Sequence, residues 1–281
     1  MIAILGHKGF IGSNFLNYVL KKRIYKKKDL ILIDKKDSYI LIDDLRYAYT
    51  LNVLQTNKVD IVYNFAGESS VDVSIKHPVE TFENNYLLIL NILEKIRTTK
   101  AKLIHISTDE VFGEFGEKYN PSSPYAASKA CQDMLIKSYI RTYHVNAQIF
   151  RCCNNFGPNQ TKDKFIPKVI DLALKNKPIQ VWPGRRCWTH VEDTCKELIE
   201  FNKTKYTERN QTYTENISNL ALAKLIVKLT KSKSNIKMLT FLEVEKIRPG
   251  FDYQYTGESS VAKKPFEKSL KETIKWYSQN P

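Results

Sequence analysis

Residues 2–12 read IAILGHKGFIG: a short apolar run, three glycines at three-residue spacing, then the start of an amphipathic stretch. No other feature of the chain limits its fold as strongly. Glycine lets the backbone turn tightly and come close to a pyrophosphate, and the helix that follows offers free N–H groups and a positive dipole end. The spacing of Gly6, Gly9 and Gly12 is GxxGxxG rather than GxGxxG. Its position between an expected strand and an expected helix is what raises it above an ordinary turn.

The rest of the first half repeats the same alternation. Apolar runs at 2–5, 30–33, 60–65, 102–106 and 147–151, with a weaker one at 39–42, are separated by helical stretches near 11–22, 46–57, 78–98, 124–143 and 164–176. The runs are apolar throughout rather than alternating, as strands covered on both faces require. The pattern predicts an α/β fold with a Rossmann-type doubly wound parallel sheet. After about residue 156 it loosens into helices near 191–203, 219–231 and 266–279 and short strands near 178–182, 212–217 and 236–241. We read residues 1–156 as a dinucleotide-binding domain and 157–281 as a smaller α/β lobe, some of whose segments return to the first sheet.

No apolar run approaches the ~20 residues of a membrane span. The N-terminus lacks the basic region and cleavage site of a signal peptide. Five cysteines form no CxxC pair and read as reduced thiols of a cytoplasmic protein. The formal net charge of +14 favours polyanions or phosphorylated small molecules. The densest basic run, 21–29, comes without any nucleic-acid motif and reads as a solvated helix end, so no nucleic-acid partner is expected. No acidic or His/Cys cluster has metal-ligand spacing, and no metal is expected.

Asp34 ends the second apolar run, 22 residues after Gly12. A carboxylate there binds ribose hydroxyls and repels a 2′-phosphate, which favours NAD over NADP, although it also suits the start of a turn. Phe65, Ala66, Gly67, Glu68 and Ser69 follow the next strand; small residues there let a cofactor approach the backbone. Tyr125 and Lys129 lie four apart and share a helix face. Tyrosine, with an ordinary pKa of about 10, becomes a usable base beside an ammonium that stabilises its phenolate. Ser107-Thr108-Asp109-Glu110 places two adjacent carboxylates where a buried strand ends.

Together these stretches resemble the nucleotide-sugar 4,6-dehydratases of the extended short-chain dehydrogenase/reductase family. The stretches carrying the resemblance are GHKGFIGSNF (6–15), NFAGESSVDVSI (64–75), ISTDEVFG (106–113), SSPYAASKA (122–130), RCCNNFGP (151–158), KFIP (164–167), THVED (189–193), RPGFD (248–252) and FEKSLKETIKWY (266–277). STDEV is the discriminating piece, since epimerases and decarboxylases usually lack the Asp-Glu pair. The resemblance implies that Tyr125, with Lys129, oxidises carbon 4 of a dTDP- or UDP-glucose with tightly bound, recycled NAD. Glu110 then takes the proton from carbon 5, Asp109 protonates the leaving hydroxyl on carbon 6, and Thr108 binds the carbon-4 hydroxyl. It further implies that Phe10, Ile11, Asp34, Asp44, Leu45, residues 65–69, Asn85 and Asn155 serve NAD, and that Asn154, Lys164, Phe165, Arg186 and Arg248 hold the nucleotide-diphosphate sugar. It implies a homodimer formed through two helices, with Ile92, Ile96, Leu135 and Ile136 placed to supply apolar surface or to be buried in the protomer.

The chain departs from the family's pattern on the substrate side. Phe156 stands for a tyrosine, Ser70 for a histidine and Cys187 for an aspartate, and RPGFDYQY (248–255) lacks two arginines. Two rival readings follow: another nucleotide-sugar enzyme of the same fold (4-epimerase, decarboxylase or 4-keto reductase), or a non-catalytic NAD-binding protein. His105, inside an apolar strand, reads as a packed core histidine. His190 reads as a fold residue, and Cys152 and Cys153 as small buried ones.

Overall fold

The computed structural model describes residues 1–35, 51–56, 58–116, 118–254 and 264–280. Asp44, Leu45 and the weak strand at 39–42 lie outside the described residues. The chain forms two compact units. The first comprises Met1–Val111, Tyr119–Cys152 and Cys195–Arg209; the second comprises Phe112–Lys118, Cys153–Thr194 and Asn210–Pro281.

The first unit is built on β1 (Ile2–Leu5), β2 (Leu30–Ile33), β3 (Ile61–Asn64), β4 (Lys102–Thr108) and β5 (Ala147–Cys152). These run parallel in the spatial order β2-β1-β3-β4-β5, with β9 (Glu208–Asn210) added beside β5. The Rossmann-type parallel sheet is therefore present. Every residue of β1 and of β5 is buried, as sequence runs without polar alternation require. Helices α1 (Phe10–Lys21), α2 (Val53–Thr56), α3 (Val71–Lys76), α4 (Pro78–Ile96) and α5 (Pro124–Tyr143) connect the strands. Ser123 caps α5 by accepting a hydrogen bond from the Ala126 N–H (3.1 Å), and Pro124 at its first position suits a fixed helical φ.

The strand order reverses between β1 and β3, and a ligand crevice is expected outside the carboxyl ends of strands at such a point. The glycine loop follows β1 there and the Phe65–Ser69 loop follows β3.

Ile92, Ile96 and Ile136 are buried in the core of the first unit, and Leu135 packs against it. The four residues weighed as dimer surface are thus spent inside the protomer, because they lie on the helix faces that cover the sheet. The apolar residues left exposed lie elsewhere: Val79, Phe82 and Leu87 on α4, and Met134 and Tyr143 on α5.

In the second unit, β6 (Asn154–Phe156) pairs in parallel with β8 (Arg185–His190), and β10 (Glu215–Ser218) pairs antiparallel with β8. β7 (Ile179–Val181) pairs with β11 (Ile236–Met238). Helices α6 (Phe165–Leu174), α8 (Asn219–Thr230), α9 (Phe241–Ile247) and α10 (Phe266–Gln279) complete it, and α7 (Val191–Asn202) follows β8. Its core gathers Phe156, Ile166, Trp188, Leu222, Ile226, Leu270 and Tyr277. Among the described residues no helix is long and apolar enough to cross a membrane.

Candidate active site

The glycine loop is shaped by contacts that exclude side chains. Gly6 has φ +75°, and a Cβ on it would lie 2.6 Å from the Ala66 nitrogen. A Cβ on Gly12 would lie 2.2 Å from the Gly6 carbonyl oxygen. The loops after β1 and β3 therefore touch backbone to backbone, which only glycine permits. Gly9 occupies the N-cap of α1 and offers no side chain to its first-turn N–H groups, the arrangement an anion uses. Asp34, buried at the end of β2, accepts a hydrogen bond from the Lys8 N–H at 3.0 Å. The acid expected at a ribose thus also braces the loop. Phe10 and Ile11 are half-buried at the start of α1.

The Phe65–Ser69 loop is held from behind by Asn85, which is fully buried on α4. Asn85 Oδ1 accepts from the Glu68 N–H (2.8 Å), and its Nδ2 donates to the Glu68 carbonyl (3.2 Å) and to Ser128 Oγ (2.9 Å). Ser128 in turn donates to the Tyr125 carbonyl (2.8 Å), and Gln132 Nε2 donates to the Asn85 carbonyl (2.5 Å). The amide of Asn85 is spent on the protein, joining the loop to the helix that carries Tyr125. The Glu68 carboxylate accepts from the Ser69 and Ser70 N–H groups (2.8 and 2.7 Å) and so stabilises its own loop.

Thr108, Asp109, Glu110, Tyr125 and Lys129 come together in the first unit. Thr108 ends β4; its Oγ1 donates to Asp109 Oδ1 and accepts the Glu110 N–H, both at 3.3 Å. Tyr125 is buried, and desolvation pushes its phenol well above the ordinary range. The Glu110 charge pushes the same way, and a hydrogen bond with Thr108 opposes them. Lys129 is 6% exposed and donates to the Ile106 carbonyl at 2.7 Å. Burial brings its ammonium down to about 8, while the Asp133 carboxylate acts in the opposite direction. A tyrosine held neutral by burial needs a nearby positive charge to act as a base.

The remaining expected residues lie in the second unit. Asn154 begins β6 and is half-buried. Asn155 is buried; its Nδ2 donates to the Cys153 carbonyl (2.8 Å) and to Gln211 Oε1 (3.1 Å), while its Oδ1 accepts from Thr194. Its amide is likewise committed inside the protein. Lys164 caps α6 and lies 3.7 Å from Asp163, and the Phe165 ring lies 6.2 Å from Trp188. Arg186 and Arg248 converge on Phe251, with guanidinium carbons 4.9 and 5.2 Å from its ring centroid. Arg186 is anchored further by donating to the Asp252 carbonyl. Sequence reasoning recorded Phe251 only as part of RPGFD; its role as the platform for both arginines shows in the fold alone.

The model of the "NAD dependent epimerase/dehydratase family" matches residues 2–214. The chain is 30% identical to dTDP-glucose 4,6-dehydratase of Mycobacterium tuberculosis (strain ATCC 25618 / H37Rv), over 99% of this chain and 93% of that one. It is similar to a dTDP-glucose 4,6-dehydratase structure from Bacillus anthracis str. Ames in complex with NAD, at TM-score 0.83 and 26% identity, covering 99% of this chain and 96% of that one. A UDP-glucose 4-epimerase from Thermus thermophilus, in complex with NAD, has TM-score 0.84 at 21% identity, covering 99% and 98%. Dehydratases and epimerases thus share this fold, and the choice between the two chemistries falls to the residues of the site.

Proposed function

The chain belongs to the NAD dependent epimerase/dehydratase family, and we propose that within it the protein acts as a dTDP-glucose 4,6-dehydratase. The observation that carries this reading is the Asp109-Glu110 pair at the end of β4, in the same unit as Tyr125 and Lys129. A 4-epimerase needs the tyrosine and the hydroxyl but eliminates no water, so it has no work for two further carboxylates.

The dinucleotide fits the residues present. Gly6 and Gly12 leave room where any Cβ would collide, Gly9 opens the start of α1, and Asp34 suits an unphosphorylated ribose. When bound, NAD supplies the hydride acceptor for carbon 4 and the hydride donor for carbon 6. Lys129 keeps a positive charge beside the reacting centre. Tyr125 Oη takes the proton of the carbon-4 hydroxyl, which Thr108 orients. Glu110 Oε takes the carbon-5 proton, made acidic by the neighbouring ketone, and Asp109 gives a proton to the departing carbon-6 hydroxyl. The Glu110 charge raises the Tyr125 proton affinity, so removing the proton from one favours keeping it on the other. Asn85 and Ser128 hold the Tyr125 helix and the Phe65–Ser69 loop in register.

In the second unit, Asn154, Lys164, Phe165, Arg186 and Arg248 bind the nucleotide diphosphate, two of them as guanidinium groups suited to phosphate. The protein pairs with a second copy through α4 and α5, where Val79 (67% exposed), Phe82 and Met134 (53% exposed) offer apolar surface. A sugar-nucleotide substrate fits a cytoplasmic enzyme.

The test is turnover of dTDP-glucose and UDP-glucose followed by mass spectrometry, with deuterium at carbon 4. A dehydratase releases one water and moves the label to carbon 6. Recovery of an isomer at unchanged mass, with the label still on carbon 4, would replace this reading by the epimerase.

A further inference from the structure

His105 is fully buried in β4, and no part of the chemistry above employs it. Its ring is nevertheless the near neighbour of Lys129, with Nε2 3.3 Å from Nζ. On its other side, Nδ1 lies 3.1 Å from Asn64 Nδ2. Asn64 ends β3 directly beside His105 in the sheet register.

The tautomer of His105 follows from what its neighbours are already bonded to. Asn64 Oδ1 accepts the Ala66 N–H at 3.1 Å. Turning the amide over would set its NH2 group against that N–H, two donors face to face. The orientation is therefore fixed, and Asn64 presents a donor to His105 Nδ1, which must accept. A neutral imidazole with Nδ1 accepting carries its proton on Nε2. On the α5 side, Gln132 spends its Nε2 on the Asn85 carbonyl. The Asn64 amide, locked by the Ala66 backbone, thus selects the proton position. Burial, with the Lys129 charge, holds the ring well below the ordinary imidazole range, so it stays neutral.

The consequence falls on Lys129. A charged ammonium has only donors, and one is used on the Ile106 carbonyl. The Nε2–H opposite offers it a fourth donor where an acceptor would stabilise it. A neutral amine, by contrast, has a lone pair that accepts Nε2–H. Opposing this, the Asp133 carboxylate on α5 and Cys152 on β5 favour the charged lysine, and Arg151 on β5 acts against protonation of His105. Tyr125 lies one turn before Lys129 on α5.

We propose that His105 is a positioning residue for Lys129: fixed by Asn64 as the Nε2–H tautomer, it keeps the lysine close to proton release and so sets the pH above which Tyr125 loses its activating charge. The inference rests on the dehydratase reading for its consequence in turnover, but its structural half stands without it.

The test has two arms. In the first, protein with 15N-labelled histidine is followed by two-dimensional NMR from pH 6 to 9, and the His105 signals are assigned by their loss in His105→Asn. The expected result is a neutral ring throughout, protonated at Nε2 and bare at Nδ1. A ring protonated at Nδ1 overturns the proposal whatever the substrate proves to be. The second arm is the pH profile of kcat/KM for dTDP-glucose. His105→Asn keeps an acceptor for Asn64 and removes Nε2–H, while His105→Gln places an amide oxygen toward Lys129. Both should move the alkaline limb upward by about half to one pH unit. A structural role alone would lower the rate without moving the limb, and an unmoved limb in both variants, with far-UV CD unchanged, overturns the proposal. Absence of turnover in the wild-type protein would instead sink the dehydratase reading and leave the first arm to decide.

Discussion

Arg151→Leu is the substitution whose cost the structure specifies most closely. Arg151 Nε donates to Asp133 Oδ2 at 2.6 Å, with side chains 3% and 0% exposed. Its Nη2 donates to Tyr119 Oη (2.7 Å) and to Glu208 Oε2 (2.6 Å). These arms differ in worth. Glu208 is 37% exposed and keeps Lys137 at 3.0 Å, so the outer pair contributes about 0–1 kcal/mol. Asp133 would keep only weaker help, such as the Tyr119 hydroxyl at 3.2 Å. Stranding a buried carboxylate costs about 3–5 kcal/mol. At about 2–4 °C per kcal/mol for a unit of this size, the melting point should fall by about 6–20 °C. Far-UV CD is the appropriate probe, because Trp182, Trp188 and Trp276 all lie in the second unit and their fluorescence reports on that unit. The double variant Arg151→Leu/Asp133→Leu should recover most of the loss, since an apolar pair leaves no orphaned charge. The uncompensated Asp133 in the single variant should also favour protonated Lys129 and move the alkaline limb of activity upward. A single-variant cost below about 1 kcal/mol, or a double variant equal to the sum of the two singles, would refute the assignment of this pair as a buried, coupled one.

Further outcomes follow from the same geometry. Gly12→Ala should abolish NAD retention in the purified protein, since the new methyl group meets the Gly6 carbonyl at 2.2 Å; retained cofactor at unit stoichiometry would contradict the loop's role. Glu110→Gln should lower water elimination by about 100-fold or more and halt solvent-deuterium entry at carbon 5, while NAD stays bound. His190 is buried in the second unit, and burial, helped by the Lys264 charge, brings its imidazole down to about 4. The unfolded chain therefore binds a proton between about 6.5 and 4 that the folded one refuses, and stability should fall with pH across that window by up to about 3 kcal/mol. Tryptophan fluorescence in urea reads that fall, and His190→Phe should flatten it.

Legibility in the sequence followed the physics of each segment. Among the parallel strands of the first unit, β1 and β3 stand out because they are largely buried and hence largely apolar. The ends of α1 and α5 are marked by the glycines at 6–12 and by Ser123-Pro124, whose backbone preferences act locally. β8 was missed because Arg185-Arg186-Cys187-Trp188-Thr189-His190 reads as a polar loop. It is buried from Arg186 onward because its polar groups find partners only in the fold: Arg186 on Phe251 and Asp252, Thr189 on the Thr212 carbonyl. α9, with exposed Phe241 and Leu242, carries too little apolar periodicity to predict a helix; in the fold its start is held by a capping box between Thr240 and Glu243.

The candidate site shows the same division. Motif spacing and the family resemblance single out Thr108, Asp109, Glu110, Tyr125 and Lys129, but the groups behind them are unreadable one at a time. Ser128, Gln132 and Asp133 are residue types expected on a solvated face, and His105 is one expected to be inert in a strand. Taken along α5, however, the buried positions include 125, 128, 129, 132, 133 and 136, the spacing of one helix face turned inward, with Ala126, Ala130 and Tyr139 buried beside them. On an ordinary covering helix that face is apolar, as on the second half of α4, where Leu88, Ile89, Ile92, Leu93 and Ile96 hold it after Thr81 and Asn85. On α5 it carries a phenol, a hydroxyl, an ammonium, an amide and a carboxylate, with only alanines among them before Ile136. A stripe of this kind costs stability wherever its members lack partners. The fold provides Tyr125 carbonyl and Asn85 for Ser128, Ile106 carbonyl for Lys129, Asn85 carbonyl for Gln132 and Arg151 for Asp133. A polar stripe at core spacing is therefore a readable sign that a helix lines a reaction centre, and its members should be read together as one face, because each is tolerable in the interior only through a partner that sequence order does not reveal.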